Sequence, residues 1–258
     1  MPVAGGLVCV HGHRFDRARE GYVHLLPSGR KTGGPAGDTP EMLQARRALF
    51  DAGHYEPVQR AVAGAVDASA ATGGVVLDAG CGEGAYLRAV GERRDDLVRL
   101  GVDVAKAAVR SAAQRDRGGD YAVASSHRLP VADGAIGVVV SVFAPRAWAE
   151  FARVLSPDGI AVVASPGADH LDAVRRLRYA EPVPHAERAH LNESDVAGWV
   201  LLDRVDVRYE LTVQGPDVEH LVHMTPYRWS GPAGPLPAVL TTKVHVVVTR
   251  HRPPVRPA

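Results

Sequence analysis

The stretch Val76-Leu77-Asp78-Ala79-Gly80-Cys81-Gly82-Glu83-Gly84 decides the fold. Residues 75–79 form a short apolar run of the length of a buried strand. The run meets three glycines at spacing two, and residues 84–94 then read as a helix. Glycine permits positive φ and close approach of the backbone to a ligand. The helix N-terminus beyond it offers N–H groups that have no partner inside the helix. In a parallel sheet such a turn lies at the carboxyl edge of the strands, where ligands bind.

Working outward, the alternation continues. Residues 97–102 read as a second strand ending at Asp103, 105–115 as a helix, 121–124 as a third strand, and the all-apolar run 136–142 as a strand buried on both faces. A helix over 146–155 is expected to stop at Ser156-Pro157-Asp158-Gly159, before a strand at 160–165 and a helix at 169–178. The tail reads as strand 201–213, helix 216–224 and strand 238–249, which suits an edge completed by an antiparallel strand. Upstream, Thr39 can cap a helix with Pro40 at its first position. Met42, Ala45, Leu49 and Ala52 share one face of it and Gly53 closes it, after which Pro57 opens a second helix. Strands alternating with helices predict right-handed βαβ units: an α/β, Rossmann-like sheet. The expected organisation is a small irregular module at 1–37, a helical linker or lid at 38–70, and the ligand-binding domain at 71–252.

Three ligands compete for the glycine turn. A triphosphate loop needs Gly-Lys-Ser/Thr at the helix start, and Ala85 follows Gly84 here. A dinucleotide could read Gly80-x-Gly82-x-x-Ala85. S-adenosylmethionine carries an amino acid, a sulfonium and a ribose but no phosphate, so it favours carboxylates nearby. Asp78 and Glu83 supply negative charge where a pyrophosphate would be repelled. Asp103 can accept both ribose hydroxyls, although alone it would suit NAD equally well. The acidic turn decides for S-adenosylmethionine. Asp78 could instead brace the turn through its backbone N–H groups.

Composition sets the outer bounds. The chain has 258 residues, 46% of them hydrophobic, with 30 basic against 29 acidic side chains. That is globular, and no net field announces a polyanion. Three of the 30 basic residues are Lys (Lys31, Lys106 and Lys243), so 27 are Arg, which suits anion clamping and equally reflects coding bias. Cys9 and Cys81 are the sole cysteines, and no stretch approaches a membrane span. The expectation is a cytoplasmic protein without a structural disulfide, associating with no membrane and forming a homodimer.

The turn and the following Asp103 resemble the class I S-adenosylmethionine-dependent methyltransferases, and Leu155-Ser156-Pro157-Asp158-Gly159 looks like that family's turn before its fifth strand. This implies seven strands, the last antiparallel. A narrower resemblance rests on Phe15-Asp16-Arg17-Ala18-Arg19-Glu20-Gly21-Tyr22-Val23-His24-Leu25-Leu26-Pro27 and on Gly37-Asp38 with Glu41–Arg47. It rests also on Asp51-Ala52-Gly53-His54-Tyr55, Ala124–Pro130, Phe143-Ala144-Pro145 and Met224-Thr225-Pro226. These are similar to the zinc-containing guanine-N1 methyltransferases of large-subunit ribosomal RNA, whose members include macrolide-resistance enzymes. The resemblance implies that Tyr55, Gly82, Glu83, Asp103 and His170 line the cofactor site. Gly80 joins them from the turn, and Ser126 and His127 follow the third strand, where this fold contacts adenine.

One departure stands out. Family members hold zinc with a Cys-x-x-Cys pair, then a Cys and a His four residues on. Cys9 and His13 match the later pair, and no earlier pair is present. A structural zinc takes four ligands. Cys9, His11 and His13 alternate as they would on one strand face, but no fourth ligand is visible, so no metal is expected. The substrate then has two readings: a ribosomal RNA hairpin, or a small-molecule acceptor taken up after loss of the zinc module. Residues 14–31 carry five basic and two acidic side chains, +3, which could hold phosphates or could be a solvated face. Phe143, Pro145 and Arg146 are expected to wall the acceptor pocket, and Trp148, Tyr227 and Trp229 are candidates for stacking on a splayed base. Phe143-Ala144-Pro145-Arg146 lacks the amide or carboxylate used on exocyclic amines, which suits a ring nitrogen. No general base is assigned.

Overall fold

The computed structural model describes residues 2–3, 5–9, 11–26, 38–178, 198–225 and 235–255. Four short strands come first: β1 (Pro2–Val3), β2 (Gly6–Val8), β3 (Arg14–Asp16) and β4 (Val23–His24). Helices α1 (Pro40–Asp51) and α2 (Glu56–Asp67) precede β5 (Val75–Ala79), α3 (Ala85–Arg93), β6 (Val98–Asp103), α4 (Lys106–Arg115) and β7 (Asp120–Val123). Then follow β8 (Ile136–Val142), α5 (Trp148–Val154), β9 (Leu155–Pro166), α6 (Asp172–Arg178), β10 (Val200–Gln214), α7 (Pro216–His223) and β11 (Val239–Arg252).

The main sheet runs β10-β11-β9-β8-β5-β6-β7-β4. β5 is parallel to both β6 and β8, so the strand order reverses beside β5, and the crevice at that switch point opens at the strands' carboxyl ends. β11 is antiparallel to both β9 and β10, the reversal expected of the last strand. An eighth strand adds to the expected seven: β4 lies parallel to β7, pairing Val23 with Ala122 and His24 with Val123. The turn at Ser156–Gly159 does not precede the fifth strand but is a bulge within β9, because Ile136 pairs with Leu155 and Val138 then pairs with Ile160.

Residue alternation sorts the core. Val76, Val138, Val140 and Val162 face one cluster with Leu49, Val62, Leu87, Val109 and Leu221 from α1, α2, α3, α4 and α7. Leu77, Val139, Ala161 and Val163 face the other, with Trp148, Phe151 and Val154 of α5. Each strand thus buries both faces, which is why its sequence reads as an unbroken apolar run. Thr39 caps α1 as its sequence predicts, its Oγ1 accepting the Met42 N–H at 3.3 Å. Below the sheet's carboxyl edge, Arg99 and Asp116 form a buried pair at 2.7 Å, and the Tyr121 hydroxyl donates to the same carboxylate at 2.8 Å.

β1, β2 and β3 form a separate antiparallel sheet. Cys9, His11 and His13 lie not on a strand but in the β2–β3 connection, where the Cys9 N–H donates to the His13 carbonyl and the Gly12 N–H to that of Cys9. The expected common strand face therefore does not exist.

Candidate cofactor site

A cavity of about 650 Å³ opens at the carboxyl ends of β5 to β9 and is closed by α1, Tyr55, Met224 and Thr225. Its floor is the glycine turn. Gly80 takes φ 103°, and a Cβ there would stand 2.6 Å from that of Ala144, so glycine lets the β8 loop close over the turn. The Gly80 and Cys81 N–H groups donate to the Val102 carbonyl at 2.8 and 3.0 Å, which ties the turn to β6.

Asp103 is clamped in place. Its Oδ2 accepts the Gly82 N–H at 3.0 Å and its Oδ1 the Ala105 N–H at 2.8 Å. Burial raises its pKa against the lowering effect of those two amides. Each carboxylate oxygen retains a lone pair, so a vicinal diol can still be accepted. Asp78 behaves differently. It is 1% exposed and lies beneath the turn rather than in the cavity wall. Burial, with Asp103 nearby, pushes its carboxyl up to about 8, and its Oδ1 has no hydrogen-bond partner. Glu83 lines the cavity, but Arg47 of α1 holds its carboxylate, with Nε 3.1 Å from Oε1 and Nη2 closer still. The negative turn inferred from the sequence is therefore weakened: burial disfavours the charged form of Asp78, and Glu83 is ion-paired.

The remaining predicted residues separate into those the cavity gathers and those it does not. Gly80, Gly82, Ser126, His127, Tyr55 and His170 line it, as do Phe143, Pro145 and Arg146. Tyr55 is 1% exposed and packs on Phe50 with ring centroids 5.2 Å apart. Phe143 is 45% exposed, holds φ 51°, and stacks on His170 at 5.7 Å and 27°. A positive φ on an aromatic residue is costly, about 1–3 kcal/mol, and such strain concentrates at binding sites. Arg146 donates through Nη2 to Ser165 Oγ at 2.7 Å, and burial lowers its pKa. Trp148 is a correction: it is 5% exposed, meets Trp199, His251 and Phe151 edge-on, and belongs to the core instead of the acceptor pocket. Trp229 and Tyr227 lie outside the described residues.

Sequence reasoning missed Asp38 and Arg46 as site residues. Arg46 Nη1 donates to Asp38 Oδ2 at 2.5 Å, and both line the cavity. Burial opposes the Arg46 charge, but Asp38 prevails and raises its pKa. The available signal was spacing: Arg46 follows Met42 by one helical turn, so the two share the buried side of α1.

Comparison with known proteins bears on this arrangement. The family model described as "Methyltransferase domain" matches residues 77–163, and that described as "RlmA, N-terminal" matches residues 3–33. The 23S rRNA (guanine(748)-N(1))-methyltransferase of Streptomyces fradiae is 37% identical over 230 residues, 86% of this chain and 80% of that protein. The chain belongs to the 23S rRNA (guanine-N1)-methyltransferase family. A provisionally named 23S rRNA (guanine-N(1)-)-methyltransferase of Micromonospora griseorubida is 38% identical over 254 residues, 92% of this chain and 83% of the relative. A solved, provisionally named methyltransferase of Bacillus halodurans has a TM-score of 0.51 at 16% identity, covering 75% of this chain and 98% of its own, and shares the fold. As a member of that methyltransferase family the chain is an S-adenosylmethionine-dependent enzyme. No helix among the described residues is long and apolar enough to cross a membrane.

The cavity fits the family's cofactor. It is large enough for a nucleoside, has Asp103 with free lone pairs at the end of β6, and offers Arg46 as a cationic partner for a carboxylate. The N-terminal module does not fit the family's zinc. Cys9 Sγ lies 3.3 Å from His13 Nδ1, two donors where a structural zinc takes four, and among the described residues no group of three or more His, Cys, Asp or Glu could hold a metal.

Proposed function

We propose that this enzyme transfers a methyl group to N1 of a guanine in 23S ribosomal RNA. The observation that carries the reading is the Phe143–His170 stack at the cavity rim, an exposed aromatic face held in strained backbone against a second ring. An apolar face of that kind suits a flipped nucleobase, because every base has a π-face. The relatives named for this reaction, similar over most of the chain, support it.

The cofactor supplies a methyl carbon on a positively charged sulfur. The chain's residues do the rest. Asp103, Gly82, Ser126 and His127 hold the nucleoside end; Tyr55, Gly80, Glu83 and His170 complete the pocket. Phe143 and Pro145 exclude water from the acceptor side, with Arg146 beside them. A less polar wall favours the reaction, since charge on sulfur disappears as the N–C bond forms and the C–S bond breaks. Guanine N1 must approach within about 3–3.5 Å, opposite the sulfur, and its proton must leave to a base or water. Asp78, beneath the turn, takes no part in holding the acceptor.

A small-molecule acceptor is the second reading. It is favoured by the charge balance of 30 basic to 29 acidic residues, and by an N-terminal module whose donors are too few for zinc. We place the enzyme in the cytoplasm, where ribosomes are, as a homodimer whose product would lower macrolide sensitivity.

The deciding experiment offers labelled S-adenosylmethionine with 23S rRNA transcripts and, separately, with low-mass cell extract. Label in the transcript, together with a primer-extension stop at a guanine, is expected, because an N1-methyl group blocks base pairing. Label confined to small molecules would end the RNA reading.

A further inference from the structure

Three elements converge on one buried imidazole. His245 of β11 has a side chain only 3% exposed. Its Nδ1 is hydrogen-bonded to Oδ1 of Asp169, in the turn between β9 and α6, and its Nε2 lies 2.8 Å from Oδ1 of Asp206 on β10. The turn carries glycine where the ring needs room: a Cβ on Gly167 would stand 2.2 Å from it. Around the cluster, Lys243 Nζ lies 3.7 Å from Asp169, Arg204 Nε donates to Asp206 at 2.8 Å, and Arg208 Nη2 is 3.7 Å from Asp206.

Both carboxyls sit below their usual range. Burial pushes Asp169 up, but its bond with His245 and its own backbone outweigh that; Asp206 is lowered by Arg204 first and by His245 second. The ring thus bridges two carboxylates carried by different elements.

An ion cluster whose carboxylates are about a third exposed is a modest source of stability, because solvent screens its attraction. Its effect here is geometric. His170 directly follows Asp169, and His170 Nδ1 accepts the His245 backbone N–H at 3.2 Å, which leaves the His170 hydrogen on Nε2. The Gly167 N–H donates to the His245 carbonyl at 2.8 Å, and the Leu171 N–H to that of Lys243 at 2.7 Å.

We propose that His245 is a positioning residue of the cofactor site: clamped between Asp169 and Asp206, it holds the β9–α6 turn where His170 stacks on Phe143 and walls the cavity. This rests on the reading of His170 as a cofactor residue.

The test is calorimetric titration of the full-length enzyme with S-adenosylhomocysteine, comparing wild type, His245→Gln, Asp169→Asn and His170→Ala. Asp169→Asn is included because Asp169 is 37% exposed in an inter-element turn, so it removes the carboxylate charge from the ring without a core substitution. His245→Gln and Asp169→Asn are expected to raise Kd at least fivefold while their melting temperatures stay within a few degrees of wild type. Nitrogen NMR should show the His170 ring resonances displaced in both variants, as a shifted turn would give and a mere loss of stability would not. Wild-type affinity in Asp169→Asn beside a weakened His170→Ala would overturn the positioning role, as would unmoved His170 resonances in both variants. Wild-type affinity in His170→Ala would bring down the reading of the cofactor site, and the positioning role with it.

Discussion

At the scale of single residues, Asp78 and Asp103 show how burial divides two neighbouring carboxyls. Asp103 receives two amide bonds and keeps a place on the cavity wall; Asp78 receives none at Oδ1 and is pushed up to about 8. The sign follows from linkage. Below the ordinary value of 3.8 the Asp78 group is protonated whether the chain is folded or not. As pH rises toward 8 the unfolded chain gains an ionisation that the folded one resists, so stability is lost across that interval and the loss levels off above it. Asp78→Asn keeps the shape and removes the titration. Its denaturant midpoint should depend less on pH between 4 and 8 than that of the wild type, and at pH 8 it should be the more stable by on the order of a few kcal/mol. Asp103→Ala should weaken S-adenosylhomocysteine binding by about 1–3 kcal/mol, read by calorimetry, because the ribose loses its acceptor.

At the scale of elements, the site is assembled by ties between segments distant in sequence. Arg47 of α1 reaches Glu83 at the head of α3, and Arg99 of β6 reaches Asp116 just beyond α4, where Tyr121 also bonds. Asp116 is 8% exposed, and its removal would leave the Arg99 guanidinium buried without a counter-charge. Asp116→Ala should cost about 3–5 kcal/mol in urea unfolding, and the double variant Arg99→Leu with Asp116→Ala should cost less than the single one. Such ties explain what the sequence withheld. The strand–glycine–helix order around residues 75–94 was legible because it is local. Arg47 against Glu83 was not, because nothing in the spacing of residues 47 and 83 announces contact. Trp148 misled for a similar reason: an aromatic residue beside a loop reads the same whether it faces a ligand or Trp199, and only the packing of α5 decides. The cofactor was reached by a premise that the structure weakens, since the acidic turn carries less free charge than its residues suggest.

At the scale of the whole molecule, a second buried ionisable group ties stability to pH on the acid side. His251 is 2% exposed, and burial lowers its pKa from 6.5 to about 4. The folded chain keeps it neutral while the unfolded chain protonates below 6.5, so stability present above that value falls as pH drops toward 4. His251→Gln should flatten the acid limb of a melting-temperature profile between pH 6.5 and 4, and an unchanged slope would remove His251 as its cause. The succession of β5 to β11 along the chain was readable from alternation, and the antiparallel last strand from the family resemblance, whereas β4 was not, being two residues inside a glycine-rich segment with no run of its own. That small strand has a practical consequence. Leu25 also donates its N–H to the Val123 carbonyl, so the rim of the sheet is sealed by the chain's own first residues. Trimming the protein back to residues 38–258 would uncover the raw border of β7, an open row of amides and carbonyls inviting another molecule to add on, and the shortened product should clump more readily than the full chain in a light-scattering comparison.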